Sequence, residues 1–214
     1  MKQVKTALFD FDGVLVDTEP IYDVFWNVAG IRYQSGIPDF TAVIKGTILP
    51  DILKKYFSDR PREEVEQLRN EAIAYEQTMP LPALPGSLEF LSLLKAHGVR
   101  MGLVTSSDSA KVERAIALYQ LEGMFDTMVT ADRITKGKPA PMCYLLAASD
   151  LEVSPQDCLV FEDSFNGIKA GTSAGMRVIG LSTTNPPETL EDKVYRVIPD
   201  FRGITFDDYL EWSK

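Results

Sequence analysis

The sequence contains little histidine, little cysteine and no long apolar run. The only histidine, His97, precedes Gly98 at the expected end of a helix, where an imidazole favours the negative helix terminus, so we interpret it as structural. The two cysteines, Cys143 and Cys158, have neither a metal-ligand spacing nor a disulfide framework and are predicted to be reduced core residues. No apolar run reaches the about 20 residues of a transmembrane helix.

Basic residues are outnumbered, with 22 lysines and arginines against 31 acidic residues and a net charge of -9. This balance argues against nucleic acid and anionic membranes as partners. The first residues show no signal-peptide pattern, so a cytoplasmic location is expected. A monomer is the default expectation. An anionic substrate would need a local reversal of the sign of the charge.

A regular alternation of strands and helices follows a proline-rich segment at residues 79–85. The strands are predicted at residues 99–105, 125–130, 158–161, 178–181 and 194–198, and the helices at residues 86–97, 109–119, 140–149 and 165–174. With a short buried strand at residues 4–9, this alternation predicts βαβ units and a parallel sheet.

The segment between the first strand and the proline-rich stretch has a different pattern of apolar residues. It contains helical patterns and no convincing strand, as at Val65, Leu68 and Ala72, which share one helix face. The predicted fold is therefore α/β, a Rossmann-like doubly wound parallel sheet with a small α-helical cap inserted after the first strand. The core is predicted at residues 1–16 and 81–214 and the cap at residues 17–80, beside the carboxyl ends of the strands, where it could act as a lid.

Polar residues that could take part in catalysis or ligand binding occur where the predicted strands end. Because the carboxyl ends of parallel strands share one edge of a sheet, we expect them to meet in one pocket. They are Asp10, Asp12, Thr105, Ser106, Ser107, Lys138, Glu162 and Asp163.

Four carboxylates in one crevice would repel each other and stay partly protonated. A hard divalent cation resolves this, and Mg²⁺ prefers oxygen ligands from one or two carboxylates, phosphate and water. Together with Lys138, the metal would make the pocket tolerate a phosphate. The backbone of Gly13 and the N–H groups that begin the helix after Ser107 are predicted to add donors for phosphoryl oxygens.

The spacing of Asp10 and Asp12 suits phosphoryl transfer. One carboxylate can attack phosphorus as a nucleophile, and the other can protonate the leaving oxygen and then deprotonate water. Thr105 would bind a phosphoryl oxygen, and Lys138 would stabilise the charge that develops on the phosphoryl group.

Four segments together resemble the motifs of the haloacid dehalogenase superfamily, in the expected order: residues 8–19, 103–107, 137–141 and 161–176. The resemblance implies that Asp10 is the nucleophile and a metal ligand, and that Asp12 is the acid/base with its backbone carbonyl on the metal. It implies Asp163 as a further metal ligand and Glu162 as a contact through a metal-bound water. The family's true dehalogenases lack a carboxylate at the position of Asp12, which favours a phosphotransferase.

Within that superfamily the chain looks most like the β-phosphoglucomutase-type phosphatases. The mutases' cap histidine falls on Tyr22 and their phosphate-clamping arginine on Leu49, while Lys45 and Gly46 resemble the cap specificity loop. A mutase must bind a second phosphate with positively charged side chains, and the histidine and arginine expected for this are missing. Hydrolysis of a small phosphorylated metabolite is therefore favoured over mutase activity. Lys45 is the remaining cap candidate for substrate binding.

Plainer interpretations stay open for each candidate. Asp10, Asp12 and Asp163 could be turn or helix-cap residues, Thr105 could end a strand, Glu162 could be structural, and Lys45 and Lys138 could be surface charges. At the level of function, a phosphosugar mutase and a phosphorylatable, receiver-like regulatory domain remain as alternatives to a magnesium-dependent phosphatase.

Overall fold

The computed structural model of the protein describes residues 6–214, in which one parallel sheet is built from six strands. The strands are β1 Thr6–Phe9, β2 Met101–Val104, β3 Thr127–Val129, β4 Cys158–Glu162, β5 Arg177–Leu181 and β6 Arg196–Ile198. Their order in the sheet is β3-β2-β1-β4-β5-β6. Successive connections therefore run outwards in both directions from β1, which confirms the predicted doubly wound sheet. Two residues of the predicted first strand, Val4 and Lys5, lie outside the described residues.

The central strands are buried on both faces, which is why their sequences read as short apolar runs rather than as alternating patterns. In β1, Ala7 and Phe9 belong to the apolar layer on one face, and Leu8 belongs to the layer on the other. Phe9 stacks on Phe161 of β4 with ring centroids 4.7 Å apart. This packing holds the ends of β1 and β4 side by side, and both ends carry candidate site residues.

The helices fall into two groups. Those packed with the sheet are α5 Ser87–Ala96, α6 Ser109–Tyr119, α7 Met142–Asp150, α8 Phe165–Ser173 and α9 Phe206–Trp212, and those inserted after β1 are α1 Glu19–Arg32, α2 Phe40–Ile44, α3 Leu49–Tyr56 and α4 Arg62–Thr78. Most predicted elements are present, with ends shifted by a few residues. Across residues 6–214, no helix combines the length and the apolar character that a bilayer crossing requires.

The inserted helices have a hydrophobic core of their own, which includes Trp26, Phe40, Phe57 and Leu68. Phe40 of α2 contacts the ring of Trp26 edge-on, with centroids 6.0 Å apart. The predicted helix face also packs inwards, since Leu68 and Ala72 are buried in this cluster. These contacts support the division that we propose: a cap at residues 17–80 and a core at residues 1–16 and 81–214.

The chain enters and leaves the cap at adjacent points. The Asp17 N–H donates to the carbonyl oxygen of Pro82 at 2.8 Å, and the Leu84 N–H donates to that of Leu15 at 2.9 Å. The proline-rich segment is packed against the core, because the side chains of Leu81 and Leu84 are buried. Two paired crossings of this kind suit a hinge about which a lid can move.

Candidate active site

Asp10 is the first residue after β1, and its side chain is almost completely buried. Its carboxylate forms an ion pair with Lys138 at 2.8 Å, and its backbone N–H donates to the Phe161 carbonyl at 3.0 Å. Burial and the neighbouring charge of Glu162 raise the pKa of Asp10 to about 8, although Lys138 acts in the opposite direction. In the absence of a further cation, this carboxyl group therefore takes up a proton at a higher pH than a solvent-exposed aspartate does.

Lys138 lies between two buried carboxylates. Besides Asp10, its ammonium contacts Glu162 Oε1 at 2.5 Å and donates to the Val104 carbonyl at 3.3 Å. Burial opposes the charged form, but the charges of Asp10 and Glu162 outweigh it and raise the pKa of Lys138. Lys138 is thus a permanently charged group fixed against Asp10, not a surface lysine.

Glu162, the last residue of β4, has both carboxylate oxygens occupied. Oε1 accepts hydrogen bonds from Lys138 and from the hydroxyl of Tyr144 at 3.0 Å. Oε2 accepts from the backbone N–H groups of Asp163 at 3.0 Å and Ser164 at 3.1 Å. Glu162 therefore positions Lys138 and anchors the start of α8. Its contact with a metal-bound water stays a prediction.

Asp163 has the surroundings that best fit a cation. Asp10, Glu162 and Asp163 each offer an oxygen within 4.8 Å of the others. Within residues 6–214, Asp163 Oδ1 is buried and has no hydrogen-bond partner, while Oδ2 accepts from the Thr184 hydroxyl. Burial and the charges of Glu162, Glu19 and Asp10 raise the pKa of Asp163 far above its usual range. Because buried polar atoms are normally satisfied, this oxygen fits a hard divalent cation.

Asp12 stands outside that group of three acids and is surrounded by donors. Its Oδ1 accepts from the Thr18 hydroxyl and from the ammonium of Lys111, and its Oδ2 accepts from the Ser107 hydroxyl at 2.6 Å. Burial alone would raise the pKa of Asp12, but Lys111 and the hydroxyl donors lower it below its usual value. The carboxylate is therefore held in one orientation and ionised.

The residues after β2 line the same cavity. The Thr105 hydroxyl accepts from the Ser107 N–H at 2.9 Å, and the Ser106 hydroxyl donates to the Gly46 carbonyl of the cap at 2.8 Å. The N–H groups that begin α6 were expected to serve a phosphate. This expectation needs correction for two of them: Ser109 N–H and Lys111 N–H donate to carboxylates at 2.8 and 2.9 Å.

Gly13 contributes space rather than a free donor. Its N–H already donates to the Val16 carbonyl at 2.8 Å, so a phosphoryl oxygen would have to share it. Its φ of 72° lies in the left-handed region, and a Cβ at this position would overlap the Asp163 carboxylate. The hydroxyl of Thr183, after β5, donates to the Gly13 carbonyl at 2.6 Å.

Sequence reasoning missed several contributors to this site, among them Thr184 and Lys111. Thr184 and its neighbours follow β5, so the strand-end rule that found the other residues would also have found them. Lys111 gives no such signal, because it lies inside α6 among residues that read as an ordinary amphipathic helix. A lysine that is 1% exposed is uncommon, and only the packing around it shows that it belongs to the site.

The cap contributes a second, mostly acidic wall. Lys45 forms ion pairs with Glu19 at 3.2 Å and Asp23 at 3.3 Å, which raise its pKa despite partial burial. Burial raises the pKa of Glu19 to about 7, although Lys45 opposes this. Tyr22 donates to Glu76 Oε1 at 2.7 Å. The structure thus places Lys45 at the cavity, but with its charge already balanced.

The two walls enclose a cavity of about 90 Å³. The core side includes Asp10, Asp12, Thr105 and Asp163, and the cap side includes the loop at Lys45. The cavity is much smaller than the roughly 300–1,000 Å³ of typical small-molecule sites. We therefore expect the cap to move away from the core when a metabolite binds.

Comparison with known proteins gives consistent matches over most of the chain. A family model described as haloacid dehalogenase-like hydrolase matches residues 7–181. Hexitol phosphatase B of Escherichia coli strain K12 is 32% identical over 191 residues, which cover 83% of each chain. The β-phosphoglucomutase of Bacillus subtilis is 31% identical over 198 residues, covering 86% of this chain and 85% of that protein.

The fold has close counterparts among solved structures. The crystal structure of a HAD hydrolase, family IA, variant 3, from Entamoeba histolytica superposes with a TM-score of 0.81 and 26% identity. The match covers 98% of this chain and 99% of that one. The inserted helices are therefore included in the similarity as well as the sheet.

Proposed function

Because the chain belongs to the haloacid dehalogenase-like hydrolase family and is an enzyme of that family, we propose that it hydrolyses a small phosphorylated metabolite, such as a sugar or polyol phosphate. The proposed reaction uses Mg²⁺ and an aspartyl-phosphate on Asp10. One observation carries this proposal: Asp10, Asp12, Thr105 and Asp163 converge on one buried cavity.

In the first step, a carboxylate oxygen of Asp10 attacks phosphorus. The bond between phosphorus and the leaving oxygen breaks, and that oxygen takes a proton from Asp12, so the metabolite departs as an alcohol. Since the pKa of Asp12 is lowered, this carboxylate is ionised before the substrate binds. The proton that it gives to the leaving oxygen therefore comes first from the phosphate group of the monoanionic substrate. Lys138, fixed 2.8 Å from Asp10, lies where it can stabilise the charge on the phosphoryl oxygens.

In the second step, Asp12 takes a proton from a water molecule, and that water attacks phosphorus. The acyl phosphate bond breaks, which releases inorganic phosphate and regenerates Asp10. Asp12 is in its basic form at the start of this step, because it gave its proton to the leaving oxygen in the first step. Burial of the cavity under the cap keeps other water molecules away from the intermediate.

The residues present fit a magnesium ion. We propose that Asp10 and Asp163 would hold it with carboxylate oxygens and Asp12 with its backbone carbonyl, while Glu162 would act through water. Asp163 Oδ1, buried without a partner within residues 6–214, is the observation that supports this assignment. When bound, the ion would supply positive charge that keeps Asp10 ionised and neutralises the phosphoryl oxygens.

The cap wall supports a leaving group with hydroxyl groups and no second phosphate. Glu19, Asp23 and Glu76 line the cavity beside the aromatic rings of Phe25 and Trp26. Carboxylates accept hydrogen bonds from hydroxyls, and aromatic rings can pack against the apolar face of a sugar. The activity named for the E. coli relative, hexitol phosphatase, is in line with this chemistry.

A phosphosugar mutase is the second candidate, because the B. subtilis relative is a β-phosphoglucomutase. Against it, Tyr22 and Leu49 line the cavity where that family's histidine and arginine are expected. Lys45 is balanced by two acids and offers little to a second phosphate. Membership of a hydrolase family decides against the regulatory-domain alternative.

The experiment is a screen of the purified protein against a panel of phosphorylated metabolites, with Mg²⁺ and with excess chelator. We expect phosphate release from at least one sugar or polyol phosphate, which requires the metal and is lost in Asp10→Asn. Phosphate release by Asp10→Asn at the wild-type rate would refute the assignment of Asp10 as the nucleophile. A bisphosphate primer that accelerates isomer interconversion rather than phosphate release would favour the mutase.

A further inference from the structure

Lys111 is a buried ammonium group at the junction of core and cap. It belongs to α6, and its side chain is inaccessible to solvent. The ammonium forms an ion pair with Asp12 Oδ1 and donates to the Ser107 hydroxyl at 3.2 Å. That hydroxyl in turn donates to Asp12 Oδ2 at 2.6 Å. Lys111 therefore reaches both oxygens of Asp12, one directly and one through Ser107.

The opposite side of the same ammonium faces the cap. It donates to the Tyr22 hydroxyl of α1 at 2.9 Å and lies 3.9 Å from Glu76 Oε1 of α4. Tyr22 itself donates to Glu76 at 2.7 Å. A buried cation needs such counter-charges and acceptors, so the surroundings of Lys111 are complete only when the cap contacts the core.

We propose that Lys111 is a positioning residue: it fixes the Asp12 carboxylate for proton transfer and makes that position depend on cap contact. This inference rests on the proposed function, since it assigns a cause to the orientation of the acid/base. If the cap moves away, Lys111 loses Tyr22 and Glu76 and becomes hydrated. Its hold on Asp12 then weakens, because charges attract less strongly in water than in a buried site.

A neighbouring residue, Arg114, serves to distinguish two explanations: that Lys111 positions Asp12, or that it only holds the cap against the core. Arg114 lies one turn further along α6 and donates to the carbonyl oxygens of Glu76 and Met79, both at 2.7 Å. It thus ties the same helix to the end of α4, while its guanidinium is directed to backbone carbonyls rather than to Asp12. Arg114→Met is the matched control for Lys111→Met.

The test compares two substrates that differ in their need for a proton. Leaving groups of hexitol monophosphates must be protonated, whereas 4-nitrophenyl phosphate releases a stable anion. We expect Lys111→Met to lower kcat/KM about a hundredfold for a hexitol monophosphate, as for a misplaced catalytic group. The loss for 4-nitrophenyl phosphate should stay below about tenfold, because no proton is needed there. Equal losses on both substrates, or losses matched by Arg114→Met, would refute positioning.

Tyr22→Phe tests the dependence on the cap, because it removes the cap hydroxyl that accepts from Lys111 at 2.9 Å and leaves every buried charge in place. We expect it to lower kcat for the hexitol monophosphate, and to add no further loss in the Lys111→Met background. Independent, multiplicative losses would refute the coupling. The wild type and Asp10→Asn are assayed in parallel. A wild type that is inactive on 4-nitrophenyl phosphate and on every sugar or polyol phosphate of the screen refutes the proposed function and this inference with it. An active wild type with an unaffected Lys111→Met refutes the inference alone.

Discussion

Replacing Lys138 with methionine should expose how strongly the site depends on one buried cation. Lys138 is 1% exposed, and its ammonium lies 2.8 Å from Asp10 and 2.5 Å from Glu162, which are themselves buried. Methionine has a similar length and keeps the packing, so the change removes the charge and little else. Two carboxylates would then lie close together without their partner.

The size of the effect follows from burial. Removing one member of a buried ion pair destabilises a protein by about 3–5 kcal/mol. The lower end, about 3 kcal/mol, is expected, because burial has already raised the pKa of Asp10 to about 8 and a proton can replace the missing charge. For a chain of this length, such a loss lowers Tm by roughly 6–12 °C.

The assay is thermal and urea denaturation of metal-free protein, with phosphate release measured in parallel. The control is Lys136→Met, which changes an exposed lysine two residues earlier in the same loop and should leave Tm almost unchanged. Turnover should be lost in Lys138→Met, because the phosphoryl group loses its fixed cation. A Lys138→Met protein as stable as Lys136→Met would refute the claim that these charges are mutually dependent.

Three further predictions follow from the same geometry. Gly13→Ala should lower the free energy of unfolding by about 1–3 kcal/mol and abolish phosphate release, because φ is positive and a Cβ would displace Asp163. The control is Gly123→Ala, which has a similar φ of 70° with open space around it and should keep its activity. Between about pH 4 and pH 8, the metal-free folded protein binds a proton on Asp10 that the unfolded chain does not bind. The free energy of unfolding should therefore fall as the pH rises through this range. Urea denaturation should show a less steep fall in Asp10→Asn. Leu49→Arg should add a cation to the cavity and lower KM for a sugar bisphosphate relative to the monophosphate, and an unchanged KM ratio in steady-state kinetics would contradict that assignment.

The sequence predicted the sheet and the strand-end residues because both depend on local patterns. Buried parallel strands are short apolar runs, and polar residues that end them must meet at one edge whatever lies between. Asp10, Thr105, Lys138 and Asp163 can thus be grouped from the sequence alone. The domain boundaries and the chemical roles of these residues stay predictions.

Several features could not be read from local patterns. Helix α9 was missed although Thr205 and Asp208 form a capping box, because the helix is short and its stability comes from Tyr209 and Trp212 packing into the core. The short cap helices α2 and α3 were missed for the same reason. Lys111 depends on tertiary contacts alone: its partners come from the first strand's loop and from two cap helices that are distant in sequence.

The most direct test of the account is acid quenching during turnover, followed by peptide mass spectrometry. We expect a transient phosphoryl group on the peptide that carries Asp10, labile to hydroxylamine as an acyl phosphate, and absent in Asp10→Asn. Steady release of phosphate with no label on that peptide at any quench time would contradict nucleophilic attack by Asp10.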